Sequence, residues 1–586
     1  MKKLLIISCV AIVFYSCDTP QKVTSNNNTE KRPNILLIVG DDIAFGDLAP
    51  YGSEINTPNM SKLADHGVRF TNFHASPVCS VTRGMLLTGN NSHEIGLGTF
   101  DYAVYPESVG KKGYEGYLTH DAVAISELLN DAGYNVYKSG KWHLGNGEEG
   151  DLPMEWGFTK EFGILSGGSN HWNDRVMVPD MTTPKNQKLI EEGKMPGIDR
   201  EEWSLNGQSY TRPEGIYSSE LYTNQMIQFI KEDRESGKPW FAYMAFTTAH
   251  FPVQAPQELV GKYFEYYYEK GYEGLKKARY DQLVSQGILS QNTNEAPQND
   301  LTEEWSQLSE DEKRMQAKIM ATYAAMIEDQ DIRTGQIIDY LERTDQLDNT
   351  LIIYLTDNGP EGMDPSNPEV GNAVFNQWIE ANFDQSFENI GQANSAHTIG
   401  VSWANATTGG LQWWKWFIGE GGIRVPMIIV PPKAFTENYE RAGELSDAVV
   451  SVKDIPMTIL EYAGIEHPQT EYKGRKIISP SGITMKPFLD QQTDEVRTEK
   501  DWYAFELFGN SYLIKGDYKI IKVRTGMFGD GEWHLYNIVE DPSETVPLEK
   551  LERERFASMI SLYKKYSYDH NIINVEASWS PFKAAK

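Results

Sequence analysis

Polar residues able to do chemistry stand directly after several apolar runs of the chain. Asp41 and Asp42 follow NILLIVG, and Asp357 and Asn358 follow TLIIYLT. Lys141 and His143 follow NVYKSG, and His250 follows WFAYMAFTTA. Three carboxylates and an amide oxygen form a hard, all-oxygen ligand set, which suits Ca2+ or Mg2+ and is poor for zinc. Each residue alone reads equally well as a turn or cap residue, and the carboxylates could be held by backbone N–H groups and lysines with no metal. Lys141, His143, His250 and Arg83 would bring positive charge and donors to an oxyanion. The potential nucleophile is Cys79, within ASPVCSVTRGMLLTG (75–89). The chain has three cysteines; Cys9 lies in the N-terminal apolar run and Cys17 closes it, so Cys79 has no partner for an internal disulfide. It is either a small buried hydrophobe or a reactive side chain, or one converted into something reactive.

Elements must carry these residues to one place. NILLIVG is a short apolar run without alternation, which predicts a strand buried on both faces of a parallel sheet. A helix is expected over 57–67, with Thr57 as its cap and Pro58 just inside. Helix-like AVAISELLNDAGY (122–134) precedes NVYKSGKWHLG, and MIQFIKEDRESGK precedes PWFAYMAFTTAHFP (239–252). The helical stretch 313–344 precedes DNTLIIYLTDNGP (348–360), and IRVPMIIVPP (423–432) precedes DIPMTILEYAG (454–464). Alternating strands and helices predict an α/β sandwich around a mostly parallel sheet. In such sheets ligands collect beyond the carboxyl ends of the strands, where the polar residues lie. Residues 263–312, rich in tyrosine and charge, are expected to form a helical insertion. Short strands over 502–542 and a helix near 547–566 predict a smaller antiparallel subdomain. The expected division is a catalytic α/β domain over 33–500 and the antiparallel subdomain over 501–586.

A length of 586 residues allows roughly two to four domains. The 54 basic and 83 acidic residues give a net charge of −29, which argues against nucleic acid or an anionic membrane surface as partner. The N-terminus, MKKLLIISCVAIVFYSC, has two lysines before an apolar stretch too short for an ordinary spanning helix and reads as a signal peptide (1–16). Ser16 before Cys17 resembles a bacterial lipobox, which would make Cys17 the lipidated first residue; the competing reading is cleavage elsewhere. Residues 17–32 are polar, as a tether would be. The expectation is an exported bacterial lipoprotein, periplasmic or attached to the outer membrane, touching the membrane only through a lipid on Cys17.

The cysteine, Arg83 four residues on and LLTG (86–89) together resemble the signature of the type I sulfatases of the alkaline-phosphatase-like superfamily. The chain looks most like the bacterial arylsulfatases, over nearly its whole length from Pro33 to the C-terminal helix. The resemblance implies that Cys79 is oxidised to formylglycine by a formylglycine-generating or an anaerobic sulfatase-maturating enzyme. It implies calcium, with Mg2+ the lesser alternative, held by Asp41, Asp42, Asp357, Asn358 and the oxygen of the modified residue 79. Arg83 would steady the modified side chain, GKWHLG (140–145) supplies Lys141 and His143, and AHFPVQAP supplies His250. Lys415, six residues before Gly421 of GEGGIRVP, is similar in spacing to the family's sulfate-binding lysine.

The reaction so implied is hydrolysis of a small sulfate monoester, aryl or carbohydrate. A hydroxyl of the aldehyde hydrate attacks sulfur with help from Asp357, His250 with Lys415 protonates the leaving oxygen, and His143 takes a proton from the second hydroxyl to expel sulfate. The chain departs from the family's Cys-x-Pro/Ala-x-Arg core by carrying Val81, which, being β-branched, also favours extended backbone. Two other readings stand beside this one: a phosphoester or phosphonate hydrolase of the same superfamily, and a lipoprotein that binds sulfated glycans without cleaving them if Cys79 stays unmodified. Trp413, Trp414 and Trp416 of GGLQWWKWF (409–417) either stack on a substrate ring or pack in the core.

Overall fold

The computed structural model describes residues 32–581 except 182, 292, 368, 526–528 and 577. The leader, Cys17 and all but the last residue of the tether lie outside the described residues. A ten-stranded sheet forms the centre. Strand Asn34–Gly40, every residue buried, sits in its middle. Parallel neighbours flank it, Thr350–Thr356 on one side and Trp240–Ala245 on the other, with Asn135–Gly140 and Lys160–Ile164 beyond the latter. Antiparallel pairings occur toward both ends, among them Met427–Val430 beside Thr350–Thr356 and Trp203–Leu205 beside Lys160–Ile164. The fold is therefore α/β with a mostly parallel sheet sandwiched by helices, as the run-and-helix pattern predicts.

Register does the positioning. Gly40 pairs with Thr356, Val39 with Ala245, and Gly140 with Ala245. The strands thus end level with one another, and the next residues (Asp41, Asp357 and Lys141) emerge side by side. Asp357 N donates to Gly40 O at 3.2 Å and Lys141 N to Ala245 O at 2.8 Å, which continues the ladder by one step into the site.

The C-terminal part carries a four-stranded antiparallel sheet, Trp502–Leu507, Asn510–Lys515, Tyr518–Lys522 and His534–Asn537, backed by the helix Arg553–Asp569. Two local expectations fail. Thr57 does not cap the helix Pro58–His66; its hydroxyl accepts from Ala49 N at 2.8 Å instead, and Pro58 at the first position removes a donor that would have needed a cap. The stretch 263–312 is helical only to Ser285, in a helix Gln257–Ser285 broken at Gly271 (φ 61°). From there to the helix Glu310–Arg343 the short turn Trp305–Gln307 alone is helical among the described residues, so charged and aromatic composition did not distinguish helix from irregular chain. Among the described residues no helix is long and apolar enough to cross a membrane.

Candidate active site

Cys79 is the first residue of a buried ten-residue helix, Cys79–Thr88. Its thiol meets the positive end of the helix dipole, which favours a thiolate. Arg83 lies one turn on along the same face. Its Nε and Nη2 donate to Asp357 Oδ2 at 2.8 and 2.6 Å, and Thr82 Oγ1 donates to Asp357 O at 2.7 Å. The helix start is thereby clamped to the end of strand Thr350–Thr356. Cys79 Sγ lies 3.3 Å from His143 Nδ1, and a ligand atom each of Asp41, Cys79 and Asp357 fall within 4.8 Å of one another.

The cations are already engaged. Lys141 Nζ donates to Asp41 Oδ2 at 2.7 Å. Lys415 Nζ contacts Asp42 Oδ1 at 2.8 Å and Glu361 Oε2 at 3.1 Å. His250 Nδ1 is bonded to Phe251 O at 2.8 Å, which leaves Nε2 facing Asp42 Oδ2 at 3.8 Å. Asn358 Nδ2 donates to Asp42 Oδ1 at 2.6 Å. The candidate catalytic and metal-holding residues are thus drawn into one connected cluster, with Asp41, Asp42, Arg83, Lys141, Asp357 and Asn358 fully buried and the two histidines at its more open side.

Electrostatics follow from burial and these pairings. Burial pushes Asp41 up, but Lys141, His250 and Arg83 outweigh it and hold its carboxyl well below the usual carboxylate range. Asp357 is pushed up to about 6 by burial and by Asp41, against Arg83. Burial would raise the Cys79 thiol, yet Lys141 and His143 bring it below its ordinary value. His143 is lifted to about 9: burial opposes protonation, but Cys79 and Asp101, whose Oδ2 lies 3.7 Å from His143 Nε2, favour it. His250 goes the other way, held well below its ordinary value by burial and then by Lys415 and Lys141.

The donor set fits a hard cation. Asp41 Oδ1, Asp357 Oδ1 and Asn358 Oδ1 are buried without a hydrogen-bond partner. Orphaned oxygens of this kind are rare in a folded core and call for a ligand. With Asp42 they make an all-oxygen group suited to Ca2+ or Mg2+.

Three features escaped sequence reasoning. Glu361 accepts from Lys415 and from Trp416 Nε1, at 3.1 Å in each case; its place four residues after Asp357 was the available signal. Asp101 comes from a distant loop with no motif around it. Gly167 and Gly168 lie against the two histidines: a Cβ on Gly167 would stand 2.7 Å from His143 Cε1, and one on Gly168 2.8 Å from His250 Cε1. Only a bare backbone fits between the rings. Trp414 and Trp416 are buried, which assigns them to packing.

The profile of the family described as Sulfatase matches residues 33–465. The chain is 37% identical over 551 residues to an uncharacterized sulfatase of Schizosaccharomyces pombe, covering 93% of this chain and 95% of that one. It is 32% identical over 460 residues to an arylsulfatase of Klebsiella aerogenes, covering 78% and 92%. A solved structure in complex with its substrate D-glucosamine-2-N,6-O-disulfate aligns over 92% of this chain and 98% of that one, with TM-score 0.57 and 19% identity. The chain belongs to the sulfatase family, a generally metal-dependent family of the alkaline-phosphatase-like superfamily. It is a sulfuric ester hydrolase.

Proposed function

We propose that the chain hydrolyses a sulfate monoester, aryl or carbohydrate, with a formylglycine made from Cys79 and with Ca2+ held by Asp41, Asp42, Asp357 and Asn358. The observation that carries this reading is the Cys79 side chain at a helix N-terminus, 3.3 Å from His143 Nδ1, beside buried carboxylate oxygens that lack partners. Calcium, when bound, supplies positive charge that polarises oxygens of the nucleophile and of the sulfate group. The hydrated aldehyde supplies two hydroxyls on one carbon, one to bond sulfur and one to expel sulfate afterwards, which a thiol cannot do.

The remaining work belongs to the chain's own groups. Lys141 and Lys415 stand on either side of the acid cluster and bind the anionic oxygens of the substrate. Arg83 fixes residue 79 by holding Asp357. Much of the lift on His143 comes from the Cys79 thiolate, which a formylglycine lacks; without it Nδ1, the atom facing residue 79, takes the proton of the second hydroxyl. His250 Nε2 gives a proton to the leaving oxygen. Burial, then Lys415 and Lys141, hold His250 well below its ordinary value, and the negative charge of an entering sulfate group acts against the two lysines.

Maturation requires a formylglycine-generating or anaerobic sulfatase-maturating enzyme as partner. Cys79, Ser80 and Val81 are at most 3% exposed, so the modifying enzyme meets this segment before the fold closes. The leader and Cys17 support export as a lipoprotein, periplasmic or on the outer membrane. The deciding experiment is peptide mass spectrometry across residues 75–89 of native protein, with sulfate release from 4-methylumbelliferyl sulfate measured on the same sample. Aldehyde at residue 79 together with turnover, both lost in Cys79→Ala, supports the reading. Unmodified thiol in an active preparation removes the formylglycine mechanism, and thiol with no activity leaves the non-cleaving reading.

A further inference from the structure

A cavity of about 230 Å3 has His143 in its wall, on the side of that ring away from Cys79 Sγ. Tyr117, Leu165 and Val176 stand in the wall with Asn146 and four carboxylates. Its volume lies below the roughly 300–1,000 Å3 of sites that hold drug-sized ligands. One six-membered ring with its substituents fills such a space; a chain of several sugars does not.

The charges in the wall are unevenly balanced. Asp101 faces His143 at 3.7 Å, and Arg200, largely exposed, is bonded through Nη1 to Asp174 Oδ2 at 3.1 Å, so each of these cations already holds a carboxylate. Glu149 and Glu202 have no ion-pair partner among the described residues, whereas Glu201 accepts from Glu202 N at 3.1 Å and is pushed up to about 7 by burial. Deeper in the site, Arg83, Lys141 and Lys415 each sit on a carboxylate. A second anionic group on the substrate ring would therefore meet unpaired carboxylates, and only cations that each already hold one. Hydroxyls and an ammonium group, by contrast, donate hydrogen bonds that carboxylates accept.

We propose that this cavity receives the alcohol part of the substrate, and that Glu149 and Glu202 select a single monosulfated ring, neutral or bearing an ammonium, against rings carrying a second sulfate. The inference rests on the sulfatase reading and deepens it by naming the substrate class. Specificity here comes from a repulsive element, the unpaired carboxylates, as much as from attraction.

The test compares two probes that share one ring: D-glucosamine 6-sulfate, with an ammonium at position 2, and D-glucosamine 2-N,6-O-disulfate. Binding of each to the full chain is measured by calorimetry at low ionic strength, and sulfate release from each by ion chromatography. The expected result is a preference of about tenfold or more for the monosulfate in both readouts, narrowed severalfold in the double variant Glu149→Gln, Glu202→Gln. Equal or tighter binding of the disulfate overturns the proposal. So does a preference unchanged in the double variant, or no binding of either sugar at millimolar concentration. Release of sulfate from 4-methylumbelliferyl sulfate is scored separately. Its absence counts against the hydrolytic reading, whereas its presence with no charge preference among the sugars counts against the cavity's role alone.

Discussion

Lys519→Met probes the contact between the C-terminal sheet and the loop that carries Lys415. Lys519, wholly buried, donates to Ile418 O and contacts Glu420 Oε1 and Glu544 Oε1, each at 2.8 Å. Glu420 also holds His74 at 3.0 Å. Methionine nearly matches the lysine stem in volume but leaves two carboxylates and a carbonyl without their cation. Breaking a buried pair in this way costs about 3–5 kcal/mol. In the wild type Glu544 is already pushed up to about 7, by burial in spite of Lys519. Without Lys519 the cluster of Glu420, Glu544 and His74 holds a proton more tightly, so the variant binds one further proton in remaining folded. The sign follows. The folded variant holds one more proton than the folded wild type, so its deficit shrinks as pH falls, by about 1.4 kcal/mol per unit above the carboxyl's unfolded value. A deficit of 3–5 kcal/mol at pH 7.5 becomes about 3 kcal/mol smaller at pH 5.5. Urea unfolding followed by tryptophan fluorescence at both pH values reads it. A deficit under about 1 kcal/mol, or one that does not change between the two pH values, refutes the account of the cluster.

Three further outcomes are expected. Gly167→Ala places a methyl 2.7 Å from the His143 ring and should lower kcat more than it lowers stability; wild-type turnover would show that the loop yields freely. Removal of divalent cations with a chelator should abolish sulfate release and lower the thermal midpoint, since Asp41 Oδ1, Asp357 Oδ1 and Asn358 Oδ1 lose their ligand; Ca2+ should restore both better than Mg2+, and full activity in metal-free protein would contradict the assignment. His171, buried and bonded to Ser218 Oγ at 2.8 Å, is brought down to about 4 from 6.5, first by burial. Its folded form binds fewer protons than its unfolded form between those values, so stability is lost as pH falls through that window, by up to about 3 kcal/mol. Denaturation midpoints from pH 7 to 4.5 should fall less steeply in His171→Gln, and identical slopes would exclude the role.

The core of the site was legible in the chain because parallel strands of equal register expose the residue after each apolar run at one edge. Asp41, Asp357 and Lys141 could be placed from that rule alone. Lys415 could not, since no strand presents it and only resemblance to GEGGIRVP pointed there. The structure shows what brings it in: a Cβ on Gly359 would stand 2.1 Å from Gly421 O, so the turn after Asp357 and the turn after Lys415 press backbone to backbone. Asp101, Glu361 and Lys519 act through contacts between distant segments that leave no periodic or spacing signal. Thr57 was misread because a cap motif and a hydroxyl needed elsewhere look alike in one dimension.

The same contacts explain how an anion-binding site folds within a chain of net charge −29. Three buried cations left without partners would each cost several kcal/mol in desolvation. Arg83 on Asp357, Lys141 on Asp41 and Lys415 on Asp42 and Glu361 offset that cost. Three aspartates and Glu361 against three cations leave an excess of carboxylate, and it is concentrated where the unpartnered oxygens of Asp41 and Asp357 lie. A divalent cation added there reverses the excess and leaves the site net positive. The lysines can then turn part of their hydrogen bonding to sulfate oxygens without leaving a bare carboxylate behind. Metal binding is on this account a condition for sulfate binding as well as for chemistry. Sulfate ion should therefore protect the protein against thermal unfolding only when the metal is present, and equal protection in metal-free protein would break that link.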